Sequence, residues 1–248
     1  MAKFAPVVPI PVAQAYREAG MLGDYQLLLA HDVIKRPGDY AQTYSHNQWI
    51  IMDNSVIELG YPLSEDEMRE AIGVVHASVF VLPDELLDKD QTILKTFEAL
   101  NTWGNLITDS TKGMAVPQGT TFDEWVECVE AFAQIREIDW IGIPRNVKEK
   151  LGTSRVKAAE IVQTVCPDKK IHMLGFSDDI QDDVAATRVG GAVMGIDSAV
   201  PSRMGMRDQK VITLANPDHS PRGDWWDNPG EVNDLAITNV TVFRSWLT

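Results

Sequence analysis

Cysteine is scarce in this sequence: Cys128 and Cys166 are the only two in 248 residues. Two cysteines make no disulfide framework, and with the five histidines they form no set at zinc-ligand spacing. The expectation is therefore a protein with no metal. Long apolar runs are also missing, so no membrane span is expected. The N-terminal MAKFAPVVPIPVAQAY lacks the apolar core and small-residue cleavage site of a signal peptide, which points to a cytoplasmic location. Glycine-rich phosphate loops of the GxGxxG or GxxxxGK[ST] kind do not occur. Positive charge is in short supply as well. Lys and Arg number 22 against 36 Asp and Glu, a formal charge of −14. That excludes a general basic surface for nucleic acid but leaves room for a local one. Arg203, Arg207 and Lys210 form one basic group; Arg145, Lys148, Lys150, Arg155 and Lys157 form another, read here as solvated helix faces.

What is present is an apolar content of 44%, enough for one sizeable core. Seven short runs rich in Val, Ile and Leu recur: QLLLAH (26–31), WIIMD (49–53), SVFVLPD (78–84), GMAVPQ (113–118), DWIGIP (139–144), KIHMLGF (170–176) and AVMGID (192–197). They do not alternate strictly, which suits strands of a parallel sheet buried on both faces. Amphipathic segments lie between them. Ser64 with Glu67 and Thr121 with Glu124 have capping-box spacing, Thr153 or Ser154 opens a further helix, and Ser177 another. Strands recurring at about one β-plus-α unit predict a parallel α/β fold, a (β/α)8 TIM-like barrel in a single domain over 1–248. QKVITL (209–214) is the best candidate for the eighth strand. A loop followed by a terminal helix is expected over 216–247.

Chemistry in such a barrel sits at the C-terminal ends of the strands. Four of the seven runs end in a polar side chain there: Asp53, Asp84, Gln118 and Asp197. Any one Asp after a strand reads as a turn residue. Four on one face of a barrel would converge on one cavity. Two carboxylates permit attack on a sugar carbon by one and proton transfer by the other. A third carboxylate and an amide match the hydrogen-bonding edge of a purine such as guanine.

Five segments then carry a resemblance. DSAVPSR (197–203), GMAVPQG (113–119) with the TTFDEW helix after it, VLPDE (81–85), HMLGFSDDI (172–180) and DWIGIP (139–144) resemble, in order, motifs of the tRNA-guanine transglycosylase superfamily. The family's cysteine–histidine zinc set is missing, which makes the chain most similar to the phage and bacterial enzymes that place 7-deazaguanines into DNA. The resemblance implies exchange of guanine in DNA for a free 7-deazaguanine base (preQ0-like), with Asp197 as nucleophile and Asp53 as general base. It implies Asp84, Gln118 and Gly142 as purine-binding residues, and Arg203 and Arg207 as nucleic-acid contacts. It needs no metal, no cofactor and no membrane, is compatible with a homo-oligomer, and places a phage-encoded member in the host cytoplasm. tRNA as the polymer, a barrel N-glycosidase and a non-catalytic recognition subunit are the alternatives. In DNSVIELG (53–60) only Asp53 matches the family pattern.

Other residues read more plainly. His172 is expected to be a satisfied core residue, and Cys128 a core residue on the apolar side of its helix. His46 and Asn47 belong to a turn. Trp225 and Trp226 are expected to pack under a loop, Pro201 to fix the turn after the seventh run, and His31 is open between a structural role and a place facing the site.

Overall fold

The computed structural model describes residues 1–23, 25–44, 48–209 and 225–247. Eight strands alternate with helices: β1 (Lys3–Pro6), β2 (Tyr25–Leu29), β3 (Trp49–Asp53), β4 (Val79–Val81), β5 (Lys112–Ala115), β6 (Ile138–Pro144), β7 (Lys170–Leu174) and β8 (Val193–Ser198). Every pairing is parallel, and the hydrogen-bonded order runs β1-β8-β7-β6-β5-β4-β3-β2. β1 also lies beside β2, so the sheet is a nearly closed (β/α)8 barrel in a single domain.

The two-residue period of a strand sorts the side chains. Ala5, Val7, Tyr25, Leu27, Leu29, Ile51, Val79, Val81, Met114, Val116 and Trp140 fill the barrel interior. Their strand neighbours Phe4, Leu28, Ile50, Met52, Phe80, Ala115, Ile141 and Ile171 pack outward under the helices. With both faces covered, no polar stripe interrupts the strands, which is why they read as continuous apolar runs. The same period carries Trp49 and Ile51 to the barrel axis and continues to Asp53 at the upper rim.

The strand missing from the sequence reading is β1, in the N-terminal segment. QKVITL is not needed to complete the eight; residues 210–214 of it, like Lys210, His46 and His219, lie outside the described residues, as does most of the loop proposed over 216–231. The terminal helix is Asp234–Trp246. Ser64 and Glu67 form the expected reciprocal capping box. Thr121 caps its helix by accepting from the Glu124 N–H, whereas the Glu124 carboxylate reaches back to the Thr120 N–H, 2.8 Å away, rather than to Thr121. Ser154 caps the helix Arg155–Val165. Asp179, not Ser177, caps the helix Ile180–Ala186, because the Ser177 hydroxyl is engaged with Asp183 at 2.9 Å.

The terminal helix closes the barrel against the helix Val200–Met206 that follows β8. A Cβ on Gly205 would lie 2.2 Å from Ala236 Cα and 2.4 Å from Ala236 N. Asn233 stitches the contact, donating to the Gly205 carbonyl at 2.9 Å while its Oδ1 accepts from the Ala236 N–H at 2.8 Å. Gly205→Ala must push backbone against backbone. The expected loss is about 1–3 kcal/mol, read from urea unfolding.

Candidate active site

The C-terminal ends of the strands surround a cavity of about 460 Å3. Its floor and walls are apolar, from Val7, Leu29, Val81, Val116 and Leu174. Into it face Asp53, Asp84 and Asp197, with Gln118 beside them and Arg145, Lys150 and Arg203 on its wall. The convergence of four strand ends is thus present, brought about by the common direction of all eight strands.

One hydrogen-bonded network joins the loops after β3, β4, β5 and β6. Asp84 is buried, and each of its oxygens accepts from an amide at 2.7 Å: Oδ1 from Asn54 Nδ2, Oδ2 from Gln118 Nε2. Gln118 Oε1 in turn accepts from Asn146 Nδ2 at 2.9 Å and the Leu87 N–H at 3.3 Å. Asn54 also donates to the Leu82 carbonyl at 3.0 Å. Burial lifts the Asp84 carboxyl to about 6; the two amides pull it down, Glu85 adds to the rise and Lys95 opposes it. Because the folded carboxyl holds its proton more tightly than an unfolded one, the stability it contributes is complete below the unfolded value of 3.8 and is lost as pH rises through about 6. Relative to Asp84→Asn, which cannot ionise, the wild type is expected to lose about 2–3 kcal/mol between pH 4 and pH 7 in urea melts.

A second network runs through β2, β7 and β8. Asp197 Oδ1 accepts from the Gly175 N–H at 2.9 Å and lies 3.1 Å from His172 Nε2. His172 is fully buried, and its Nδ1 is 2.7 Å from the Tyr25 hydroxyl. The turn carrying Gly175 is held from below by Arg155, which donates to the carbonyls of Gly175 at 2.7 Å, Ile143 at 2.6 Å and Leu174 at 3.2 Å, and to Asp183 at 2.8 Å. Asp53, at the end of β3, accepts from the Ser55 N–H at 3.1 Å through Oδ2. Ser55 adopts φ 61°, a left-handed conformation unusual outside glycine, and its Oγ accepts from the His31 N–H.

The remaining expected site residues separate. Gly142 is buried below the cavity, where a Cβ would meet Leu174 at 2.7 Å, Val116 at 3.0 Å and Met114 at 3.1 Å; it fills the barrel core and does not line the mouth. Arg203 is buried on the cavity wall, whereas Arg207 is exposed and outside the lining. Arg155, expected on a solvated face, is fully buried. His31 belongs to the helix Ala30–Lys35 and does not line the cavity. Cys128 is core. Trp225 is buried, but Trp226 lines the cavity, its ring 4.9 Å from that of Trp225 and inclined 67° to it. The sequence reading overlooked Asn54, Asn146 and Tyr25 as site residues, and read His172 as core alone. Asn54 stands next to Asp53 and carried a signal in that adjacency; Tyr25 and His172 carried none, because their pairing spans 147 residues. Among the described residues no group of three or more His, Cys, Asp or Glu is placed to hold a metal ion, and no helix is long and apolar enough to cross a membrane.

No family model and no curated protein sequence matches the chain. Solved structures do. The YdjI aldolase from Escherichia coli K12 superposes with a TM-score of 0.53 at 13% identity, covering 99% of this chain and 88% of that one. 2,3-Dimethylmalate lyase, a PEP mutase/isocitrate lyase superfamily member, does so with a TM-score of 0.52 at 12% identity, covering 97% and 89%. The shared feature is the (β/α)8 barrel. These findings overturn the resemblance to tRNA-guanine transglycosylases: no such family model matches, and the structural neighbours include an aldolase and a lyase. Guanine exchange and pentosyl transfer fall with it, and DNA and a free deazaguanine base, which rested on that resemblance alone, carry no proposal.

Proposed function

We propose that the chain is an enzyme of the lyase type, which breaks or makes a carbon–carbon bond next to a carbonyl group in a small polar substrate. The observation that carries this reading is a pair of carboxyls in one largely apolar cavity, held by different partners. Asp84 sits between two neutral amides and is lifted to about 6; Asp197 accepts the Gly175 N–H on Oδ1, the oxygen that also lies 3.1 Å from His172 Nε2. Carboxyls in unlike surroundings divide acid from base work. The reaction class is taken from the aldolase and the lyase that share the barrel.

In the cleavage direction Asp197 takes the proton of a substrate hydroxyl. The oxygen's electron pair forms a new carbonyl, the neighbouring carbon–carbon bond breaks, and its electrons pass to the second carbonyl as an enolate. Asp84 delivers its proton to the enolate carbon, and the two carboxyls return to their starting states by exchange with water. Arg203, on the cavity wall, faces the developing enolate charge. Asp53 binds a further hydroxyl at the rim. The test is a panel of hydroxy acids and hydroxy ketones with detection of the carbonyl released. Release by the wild type from at least one member supports the reading, and silence across the panel by folded protein rejects it.

A further inference from the structure

Resting on that reading of Asp197, we infer that Tyr25 and His172 are positioning residues: the Tyr25 hydroxyl locks the His172 proton onto Nε2, and His172 then turns Asp197 so that Oδ2 faces the cavity. The phenol and ring are 2.7 Å apart, and this is the hydrogen bond of the Tyr25 hydroxyl. Burial and the nearby Asp197 charge hold Tyr25 well above the usual phenol range, so it keeps its proton and is able to donate; the carboxylate oxygen 3.1 Å from Nε2 calls for the ring hydrogen on that nitrogen, which leaves Nδ1 to accept. An Nδ1 that accepts leaves the ring hydrogen of a neutral imidazole on Nε2. Nε2 then donates to Asp197 Oδ1 at 3.1 Å, alongside the Gly175 N–H at 2.9 Å. Both donors load the same oxygen. Oδ2 receives no hydrogen bond among the described residues and is the lone-pair face offered to a substrate proton. The barrel makes room for this chain at Gly195, where a Cβ would lie 2.5 Å from Tyr25 Cε1, so the ring of Tyr25 occupies the place of a side chain on β8.

The experiment is nitrogen-15 NMR of histidine-labelled protein without substrate, with the His172 signals assigned by their loss in His172→Gln. The expected spectrum has a protonated Nε2 and an unprotonated Nδ1. In Tyr25→Phe, which keeps the ring and its packing over Gly195, that signature is expected to shift, and kcat to fall about tenfold with KM little changed. His172→Gln, whose amide still donates to Asp197, is expected to retain more activity than His172→Leu. A proton on Nδ1, a doubly protonated ring, or a His172 spectrum unmoved by Tyr25→Phe would overturn the inference. Because the tautomer is read without substrate, that result is separate from the outcome of the carbonyl-release panel.

Discussion

Asp197→Asn is expected to fold like the wild type and to lose about 10²–10⁴ of its carbonyl-releasing activity. The amide keeps an oxygen where Oδ1 accepts from Gly175 and His172, so the turn after β7 and the buried histidine keep their partners. What changes is the other atom. An NH2 group replaces Oδ2 and can no longer accept a proton. Folding is read by urea unfolding, and activity by kcat on whichever substrate of the panel responds. A variant that folds normally and turns over within a factor of a few of the wild type removes Asp197 from the chemistry.

Arg155→Met is expected to cost about 3–5 kcal/mol of stability, the largest loss from any single change considered. Arg155 and Asp183 are both fully buried and 2.8 Å apart. Burial pushes the Asp183 carboxyl up while Arg155 and the Ser177 donors pull it back. Removing the guanidinium leaves a carboxylate without its counter-charge and takes one donor from each of three carbonyls, of Ile143, Leu174 and Gly175. The double change Arg155→Met with Asp183→Leu removes the stranded charge and is expected to recover part of the loss, a coupling that a double-mutant cycle measures. Since the Gly175 N–H aims Asp197, the single variant is also expected to lower kcat at a temperature where it remains folded.

The elements that were legible in the sequence owe their visibility to local pattern. WIIMD is β3 residue for residue, because five residues with apolar neighbours on both faces leave nothing ambiguous. β1 escaped because its four residues lie among prolines and were read for a leader rather than a strand; its partner, β8, is nearly two hundred residues away in the chain. Asp53, Asp84 and Asp197 could be placed on one face because parallel strands all point the same way. What hangs on long-range partners was not legible. Arg155 looks like one cation in a basic stretch, and only the folded chain sets it against Asp183 and three carbonyls. His172 was rightly seen as buried, but its role follows from Tyr25 on one side and Asp197 on the other. Gly142 matched a motif position, yet the strand period turns it into the packed interior. The five short segments that resembled a nucleotide-modifying family are strand ends and helix starts, which any barrel of this kind must supply; their order along the chain did not establish the chemistry.

The central claim is that Asp84, in the barrel mouth, moves a proton at a carbon beside a carbonyl, and the most direct measurement is the half-reaction. Small 2-oxo acids and ketones are incubated with the protein in deuterium oxide, and loss of their C3 proton signals is followed by NMR. The account predicts exchange with at least one compound, catalysed by the wild type, reduced to background by Asp84→Asn and largely kept in Asp197→Asn, since the Asp197 carboxyl acts on the hydroxyl of the other fragment. Exchange that persists unchanged in Asp84→Asn, or a wild type that exchanges none of the compounds it is shown to bind, would contradict it.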